Sequence, residues 1–291
     1  MESQQSKIAL LIEAELLKYS SAIILVAPLQ EAFSYALFPK GKRIRPALAL
    51  ALAEDLSANS ESFVRPALAL ELIHASSLVH DDLPALDNDD FRRGKPSCHK
   101  AFGEATAILA GDLLIAEAFA LTADPILSDS QVAALTRILA TAFRDVCHGQ
   151  QRDIISDDSR GPLELLHRLK TGALFRASAQ FGATFSNLAP DLVTEVGSLG
   201  ENIGLLFQMN DDLLDLIGDS DHKGRPHGSD QRNQRQTYGS SYQMSELSQH
   251  VARLTDTIIQ QFSQLEQVTA SSLKQTRLLF KKVVTPAKKD A

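Results

Sequence analysis

Two short stretches of this chain crowd carboxylates together more closely than an unaided fold tolerates. The first, residues 81–93, reads DDLPALDNDDFRR, five aspartates followed by two arginines, and a mostly apolar run, ALALELIHASSLVH at 67–80, leads straight into it. Two like charges about 4 Å apart repel by roughly 1 kcal/mol even in water, so such a cluster at the mouth of an apolar helix calls for a divalent counterion. The second stretch, FQMNDDLLDLIGD, sets Asp211 and Asp215 four residues apart, stacked on one helical face with Asp212 beside them. Like charges at that spacing destabilise a bare helix by a few tenths of a kcal/mol, and a divalent cation reverses the sign. Mg²⁺ suits the donors: hard oxygens, few protein carboxylates, the other positions left to water and substrate phosphate. An EF-hand is excluded, because Phe91 and Arg92 follow Asp89 and Asp90 where that loop needs other residues.

Cations accompany both stretches. The turn GKRIRP at 41–46 places Lys42, Arg43 and Arg45 within four residues. Alone it reads as a solvated loop; together with the acidic stretch it reads as an anion site, gripping a phosphate that the metal side also grips. His74 lies two helical turns before Asp81, so its ring can point to the same mouth, although a lone histidine in an apolar helix is more often a hydrogen-bonded core residue. Lys170, beside Thr171, sits in a helix apolar on most sides and wants an anion. Asp112 stands alone in AILAGDLLIAEAF, where burial is costly unless it is paired. The polar loop 219–239, with Lys223, Arg225, Arg232 and Arg235, follows the second cluster directly and reads as a phosphate lid.

Positioning these groups needs helices. Apolar residues at three and four residue spacing predict helices over 6–19, 21–38, 47–53, 61–80, 104–122, 131–151, from 163, 191–218, from 244 and 273–283. Asp81 and Asp82 end the fourth, since Pro84 cannot continue it. Asp87 would face away, about 240° round, if the helix ran on, so residues 83–86 must swing it back. Connections are short and no composition shift marks a linker, so 1–291 reads as one all-α domain whose final KKVVTPAKKDA is a frayed tail. Hydrophobic residues at 44% with only 15 Gly and 11 Pro agree with a helical globular protein.

Composition narrows the partners. Cys98 and Cys147 are too few for a disulfide framework and lack ligand spacing, which fits a reducing cytoplasm. Residues 1–20 lack a basic start and short apolar core, so no signal peptide is expected. The longest apolar run, 22–29, is too short to span a bilayer. A net charge of −7 argues against nucleic acid or an anionic membrane as the main partner.

GKRIRP, HDDLPALDNDDFRRGKP, HRLKTGALF, and FQMNDDLLDLIGD followed by GSD and QTY together resemble the bacterial trans-isoprenyl diphosphate synthases, the farnesyl and geranylgeranyl diphosphate synthase family. These motifs run from Gly41 to Tyr238 in that family's order. The resemblance implies the isoprenoid synthase fold, about ten core helices around a deep cavity, a homodimer, and the two aspartate motifs facing each other across the cavity mouth. It implies that Asp81, Asp87 and Asp211 bind about three Mg²⁺ ions on an allylic diphosphate, with Asp82, Asp212 and Asp215 supporting them. Arg92, Lys170, Arg225 and Arg235 would hold the same diphosphate. Isopentenyl diphosphate would sit on Lys42, Arg45, His74 and Arg93. Thr171 and Gln208 would turn lone pairs toward the allylic carbocation left when diphosphate departs, and no nucleophilic side chain is needed.

Two positions depart from the family pattern: Arg225 and Arg235 stand where lysine is usual, keeping charge but changing a point ammonium to a fork. Farnesyl synthases of the bacterial type carry an aromatic residue five before the first aspartate, which closes the tunnel early. That position here is Ser76, followed by Ser77, roughly 7.5 Å below the metal mouth at about 1.5 Å per residue. The floor then falls to Ile73 or Leu70, which favours geranylgeranyl over farnesyl diphosphate as product. A noncatalytic partner subunit would be expected to have lost its aspartates, and a class I terpene cyclase has no use for the GKRIRP and RRGKP cations.

Overall fold

A computed structural model of the chain describes residues 4–23, 26–38, 41–155, 159, 161–217 and 237–284, the side chains of 4–6, 215–217 and 284 excepted. These residues are almost entirely helical: α1 (Gln4–Ala22), α2 (Ala27–Leu37), α3 (Ile44–Asp55) and α4 (Val64–Asp81) come first. A two-stranded hairpin, β1 (Phe91–Arg92) with β2 (Lys95–Pro96), precedes α5 (Cys98–Phe102), α6 (Glu104–Leu121), α7 (Asp129–Ile154) and α8 (Leu163–His167). A π-helical turn, Arg168–Gly172, leads into α9 (Ala173–Phe185), then α10 (Pro190–Ile217), α11 (Tyr238–Ser241), α12 (Met244–Thr269) and α13 (Lys274–Val284).

Helix α4 is buried on most sides, from Val64 and Ala67 to Val79, as a helix apolar all round must be. It packs on α6, α3, α1 and α2, while α9 packs on α10, α3 and α7. One apolar cluster spans α1 to α7 and reaches α9 through Leu174 and Phe181. A second joins α3, α9, α10, α12 and α13 through Leu48, Phe175, Leu206, Phe262 and Phe280. The C-terminal end is fastened to the N-terminal half: the Asp55 carboxylate accepts from the backbone N–H of Gln275 at 2.9 Å and of Thr276 at 2.8 Å, capping α13.

The helix expected over 21–38 is two. α1 runs through Ala22 and α2 begins at Ala27 with Pro28 in its first turn, the place where a missing N–H breaks no helical bond. After the first motif the chain makes a hairpin whose two loop residues, Arg93 (φ 53°) and Gly94 (φ 76°), both take positive φ, the requirement of a tight type I′ turn. The short α5, also unread in the sequence, fills the gap before α6. Asp112 is not buried: its side chain is 61% exposed, with Oδ1 3.7 Å from Nε2 of the His80 ring.

Candidate active site

Helix α4 carries the first aspartates to its end. Asp81 is its last residue and Asp82 its C-cap. Beyond it, Leu83 N–H donates to the His80 carbonyl, Leu86 N–H to Leu83 and Asn88 N–H to Leu83, a compact loop around Pro84. The Asp87 N–H donates to the Asp81 carbonyl at 2.8 Å, so residues 83–86 turn the chain back and return Asp87 beside Asp81. Asp82 is buried and bonded to the Arg92 guanidinium by both carboxylate oxygens. Buried Asp89 lies 3.9 Å from that guanidinium, and exposed Asp90 pairs with Lys100 at 2.8 Å. Burial works against the charged Arg92, but the hydrogen bonds and charge of Asp82, with Asp81 and Asp89, outweigh it and hold the guanidinium above its ordinary pKa. The five aspartates thus divide: Arg92 neutralises Asp82 and Asp89, Lys100 meets Asp90, and Asp81 and Asp87 are brought together by the loop.

Arg93, next along, faces the other way. Its guanidinium lies against Gly41, where a Cβ would come within 2.9 Å of both terminal nitrogens, so the basic turn 41–46 and the hairpin meet. Arg45 stands over the Phe175 ring at 5.1 Å and Lys42 over the Phe207 ring at 5.5 Å. Burial pushes the Arg45 guanidinium down to about 10, with Glu71 opposing and Arg93 adding to the fall. Arg93 is lowered by burial, with Glu71 opposing and Arg43 and Arg92 adding. His74 is held well below its usual value by burial and by the charges of Arg45, Arg93, Arg92 and Arg43. Mutually repelling cations around a neutral imidazole are a setting that suits a multivalent anion. Arg43 is not part of the grip. It is the αL N-cap of α3, buried, with Nη1 on Glu71 at 2.6 Å, Nε on Glu13 at 2.9 Å and Nη2 on the Leu37 carbonyl at 2.7 Å, which makes it a structural post inside the basic turn.

Lys170 and Thr171 sit in the π-helical turn, a wide turn that is rare in proteins and concentrated at functional sites. Lys170 Nζ donates to Asp153 Oδ2 of α7 at 2.5 Å. The approach depends on Gly149, where a Cβ would lie 2.4 Å from the Lys170 backbone nitrogen. Thr171 Oγ1 donates to Gln208 Oε1 at 3.2 Å, and Gln208 Nε2 to Asp212 Oδ1 at 2.9 Å. The second Asp212 oxygen accepts the Tyr238 N–H at 2.7 Å. Asp212, buried and met on both oxygens, ties α10 to the π turn and to α11. Thr171 and Gln208 therefore lean on one another in this structure. Asp211, half-buried, is the neighbouring carboxylate on α10. The Asp215 side chain, Arg225 and Arg235, with the rest of the expected lid, lie outside the described residues.

Ser76 is fully buried on α4 and its hydroxyl has no hydrogen-bond partner, while Ser77 Oγ donates to the His74 carbonyl at 3.0 Å. Ile73 and Leu70, about one and two turns below, are fully buried.

Four residues of this region escaped the sequence reading. Glu71 is the buried partner of Arg43; Asp153 holds Lys170; Gln150 is buried one turn before it; and His167 stacks on Tyr238 with ring centroids 4.8 Å apart. Burial pushes the His167 pKa down to about 4, with Asp153 opposing and Lys170 adding to the fall. The legible signal was HGQQRD, whose Gln150 and Asp153 share a helical face three residues apart.

Among the described residues no group of three or more metal-ligating side chains is already gathered into a cage. The donors present are carboxylate oxygens on Asp81, Asp87 and Asp211, a hard set that fits Mg²⁺ sharing its shell with water and phosphate.

The polyprenyl synthetase family profile matches residues 26–275. Farnesyl diphosphate synthase of Haemophilus influenzae is 46% identical over 220 residues, 73% of this chain and 75% of that protein. The farnesyl diphosphate synthase of Escherichia coli is 38% identical over 247 residues, 82% of this chain and 83% of its own. Among solved structures, an FPP/GFPP synthase of Zymomonas mobilis superposes with a TM-score of 0.81 at 30% identity, over 97% of this chain and 98% of that one.

Proposed function

This chain belongs to the polyprenyl synthetase family, as a prenyltransferase of the trans-isoprenyl diphosphate synthase type with the isoprenoid synthase fold, and from that premise we propose that it condenses isopentenyl diphosphate with an allylic diphosphate to give geranylgeranyl diphosphate. The observation that carries the condensation is the division of charge at the mouth: carboxylates Asp81 and Asp87 on one side, and the separate Arg45, Arg93 and His74 anion pocket on the other. Two distinct anion-binding surfaces suit two diphosphate substrates, and a cyclase with one diphosphate has no use for the second.

Asp81, Asp87 and Asp211 would hold Mg²⁺, about three ions in the family pattern, which when bound supplies positive charge to the leaving diphosphate. Asp82 and Asp212 act through position, fixed by Arg92 and by Gln208 and Tyr238. Lys170, aimed by Asp153, meets the allylic diphosphate, and Arg92 borders it. Lys42, Arg45 and Arg93 hold isopentenyl diphosphate, with neutral His74 able to donate one ring N–H. The allylic C1–O bond breaks and its electron pair leaves on the diphosphate oxygen. The isopentenyl double bond then supplies the pair for the new bond to C1, and the proton lost from the adjacent carbon passes to the released diphosphate. Thr171 and Gln208, bonded to each other here, would turn oxygen lone pairs toward this path. Arg225, Arg235 and Asp215 complete the site in this reading.

Product length rests on α4. The small side chain of Ser76, fully buried here, takes the place where an aromatic residue would close the tunnel, and in this reading the floor is left to Ile73 and Leu70 below it. The second reading, a farnesyl product, is favoured by the names of the Haemophilus influenzae and Escherichia coli relatives, and requires another helix to supply the floor.

The chain is read as one domain working in the cytoplasm; among the described residues no helix is long and apolar enough to cross a membrane. A homodimer is supported by α6, which exposes Ile108 and Leu109 on a helix apolar nearly all round. Purified chain with isopentenyl and dimethylallyl diphosphates should release diphosphate only when Mg²⁺ is added. Asp81→Ala should cut kcat roughly a thousandfold, about 4 kcal/mol of barrier. Turnover by Asp81→Ala at the unsubstituted rate would refute the metal assignment.

A further inference from the structure

The π turn that carries Lys170 and Thr171 holds one residue more than an α turn, and nothing in the condensation steps accounts for what keeps it there. Its hydrogen bonds close over five residues instead of four, and such turns are rare. An ordinary α turn would aim the same side chains elsewhere. Some contact has to favour the wide form.

Glu201 of α10 makes that contact. One carboxylate oxygen accepts from Arg168 Nη1 at 3.1 Å and the other from Arg176 Nη1 at 2.7 Å. Arg168 opens the π turn, and Arg176, eight residues on, lies in the first turn of α9. In a regular α-helix, at about 100° per residue, eight steps leave two side chains about 80° apart. A wide turn absorbs one residue, so the eight count as about seven and the two guanidiniums fall within about 20° of one face. A single carboxylate then spans both. Each arm is braced: Arg168 Nη1 also donates to Asn202 Oδ1 at 3.0 Å and Arg168 Nε to Glu164 Oε1 at 2.9 Å, while Arg176 Nη2 donates to Asp145 of α7. Glu201 settles close on the turn at Gly172, where a Cβ would come within 3.0 Å of Glu201 Cγ. Its side chain is only 20% exposed, which shields the bridge from the solvent that weakens surface ion pairs.

We propose that Glu201 is a positioning residue for the allylic half of the site: its bridge between Arg168 and Arg176 selects the π register, and that register aims Lys170 and Thr171 at the mouth. This rests on the prenyl-transfer reading above, in which Lys170 meets the allylic diphosphate. With the bridge cut, the turn relaxes toward ordinary α-helix, and the two sides of the lost residue rotate by about 100° relative to each other. Since α9 is packed on α10, α3 and α7, the segment ahead of it swings, Lys170 included. Lys42, Arg45 and Arg93 belong to other elements and keep their places.

The test measures kcat, both KM values and the melting temperature of Glu201→Gln in the full chain with Mg²⁺, isopentenyl diphosphate and geranyl diphosphate. This substitution keeps the size of the side chain and removes the charge that spans two guanidiniums. KM for geranyl diphosphate should rise roughly tenfold while KM for isopentenyl diphosphate stays within about twofold. Calorimetric binding of geranyl thiodiphosphate, a slowly ionising analogue, closes a double-mutant cycle with Lys170→Ala: Glu201→Gln should weaken binding roughly tenfold in the unsubstituted chain and less than about threefold beside Lys170→Ala. A Glu201 that only stabilised the fold would lower the melting temperature, affect both substrates alike and keep its full effect in the absence of the Lys170 ammonium. Arg176→Met cuts the bridge at its other end; it should reproduce the allylic loss, and it decides the matter by the same criteria if Glu201→Gln fails to fold. A geranyl diphosphate KM within about threefold of the unsubstituted value, equal losses toward both substrates, or a full loss beside Lys170→Ala overturns the inference alone. An unsubstituted chain that forms no prenyl diphosphate overturns the reading beneath it as well.

Discussion

Neighbouring residues of one kind do different work here because burial and partners differ. Asp81 and Asp82 are adjacent, yet Asp82 is buried against Arg92 while Asp81 is joined by Asp87 across a four-residue loop. Arg92 and Arg93 part in the same manner, one serving the aspartates and the other lying against Gly41 of the basic turn. Ser76 turns this residue-level logic into a prediction. If it borders open space, Ser76→Phe fills that space, shortens the product by one five-carbon unit or more, and leaves stability within about 1 kcal/mol of the unsubstituted chain. If it is tightly packed, the added ring costs about 1–3 kcal/mol instead. Chromatography of the extracted products and a denaturant titration separate the two. Most of these side chains were legible in the sequence, because carboxylates and cations on apolar helices announce themselves. Glu71 and His167 were not, because each matters through a partner distant in the chain: Arg43 and Tyr238.

At the scale of elements, the long periodic helices were readable, and the short devices that aim the chemistry were not. The hairpin after the first motif spans only residues 91–96, too few for a period, yet its two positive-φ residues set the direction of Arg93. The π turn is invisible to a 3.6-residue pattern; it depends on α7 and α10 pressing on residues 168–172, with Arg168 bonded to Glu201 at 3.1 Å and Asn202 at 3.0 Å. Gly149 is the contact that admits this turn. Gly149→Ala should push the Lys170 backbone away from α7, cost about 1–3 kcal/mol of stability and raise KM for the allylic substrate roughly tenfold, about 1.4 kcal/mol of binding. KM for isopentenyl diphosphate should hardly change. Equal losses toward both substrates would show that the turn does not belong to the allylic side.

For the whole molecule, charge buried around one mouth links stability to pH. His167 has a folded pKa of about 4, and His74 is also held well below its ordinary value. Below about pH 6.5 the unfolded chain takes up protons at these rings that the native chain refuses, so stability falls as pH drops. For His167 the loss is complete near pH 4 and amounts to roughly 3 kcal/mol. Urea titrations between pH 7 and pH 4.5 should find the decline, and His167→Gln should flatten it; an unchanged slope in that variant would contradict the assignment. The same concentration of cations and carboxylates at one end of the helices is what the all-α frame provides, with α4 and α10 each delivering an aspartate motif and Asp55 holding the last helix to the first half of the chain. One assay reads the outcome most directly: the carbon number of the product formed by purified chain from isopentenyl and dimethylallyl diphosphates, with and without Mg²⁺. Mg²⁺-dependent formation of a twenty-carbon diphosphate is the expected result. A clean fifteen-carbon product would contradict the role given to Ser76, and no prenyl product in the presence of Mg²⁺ would contradict the prenyl-transfer function itself.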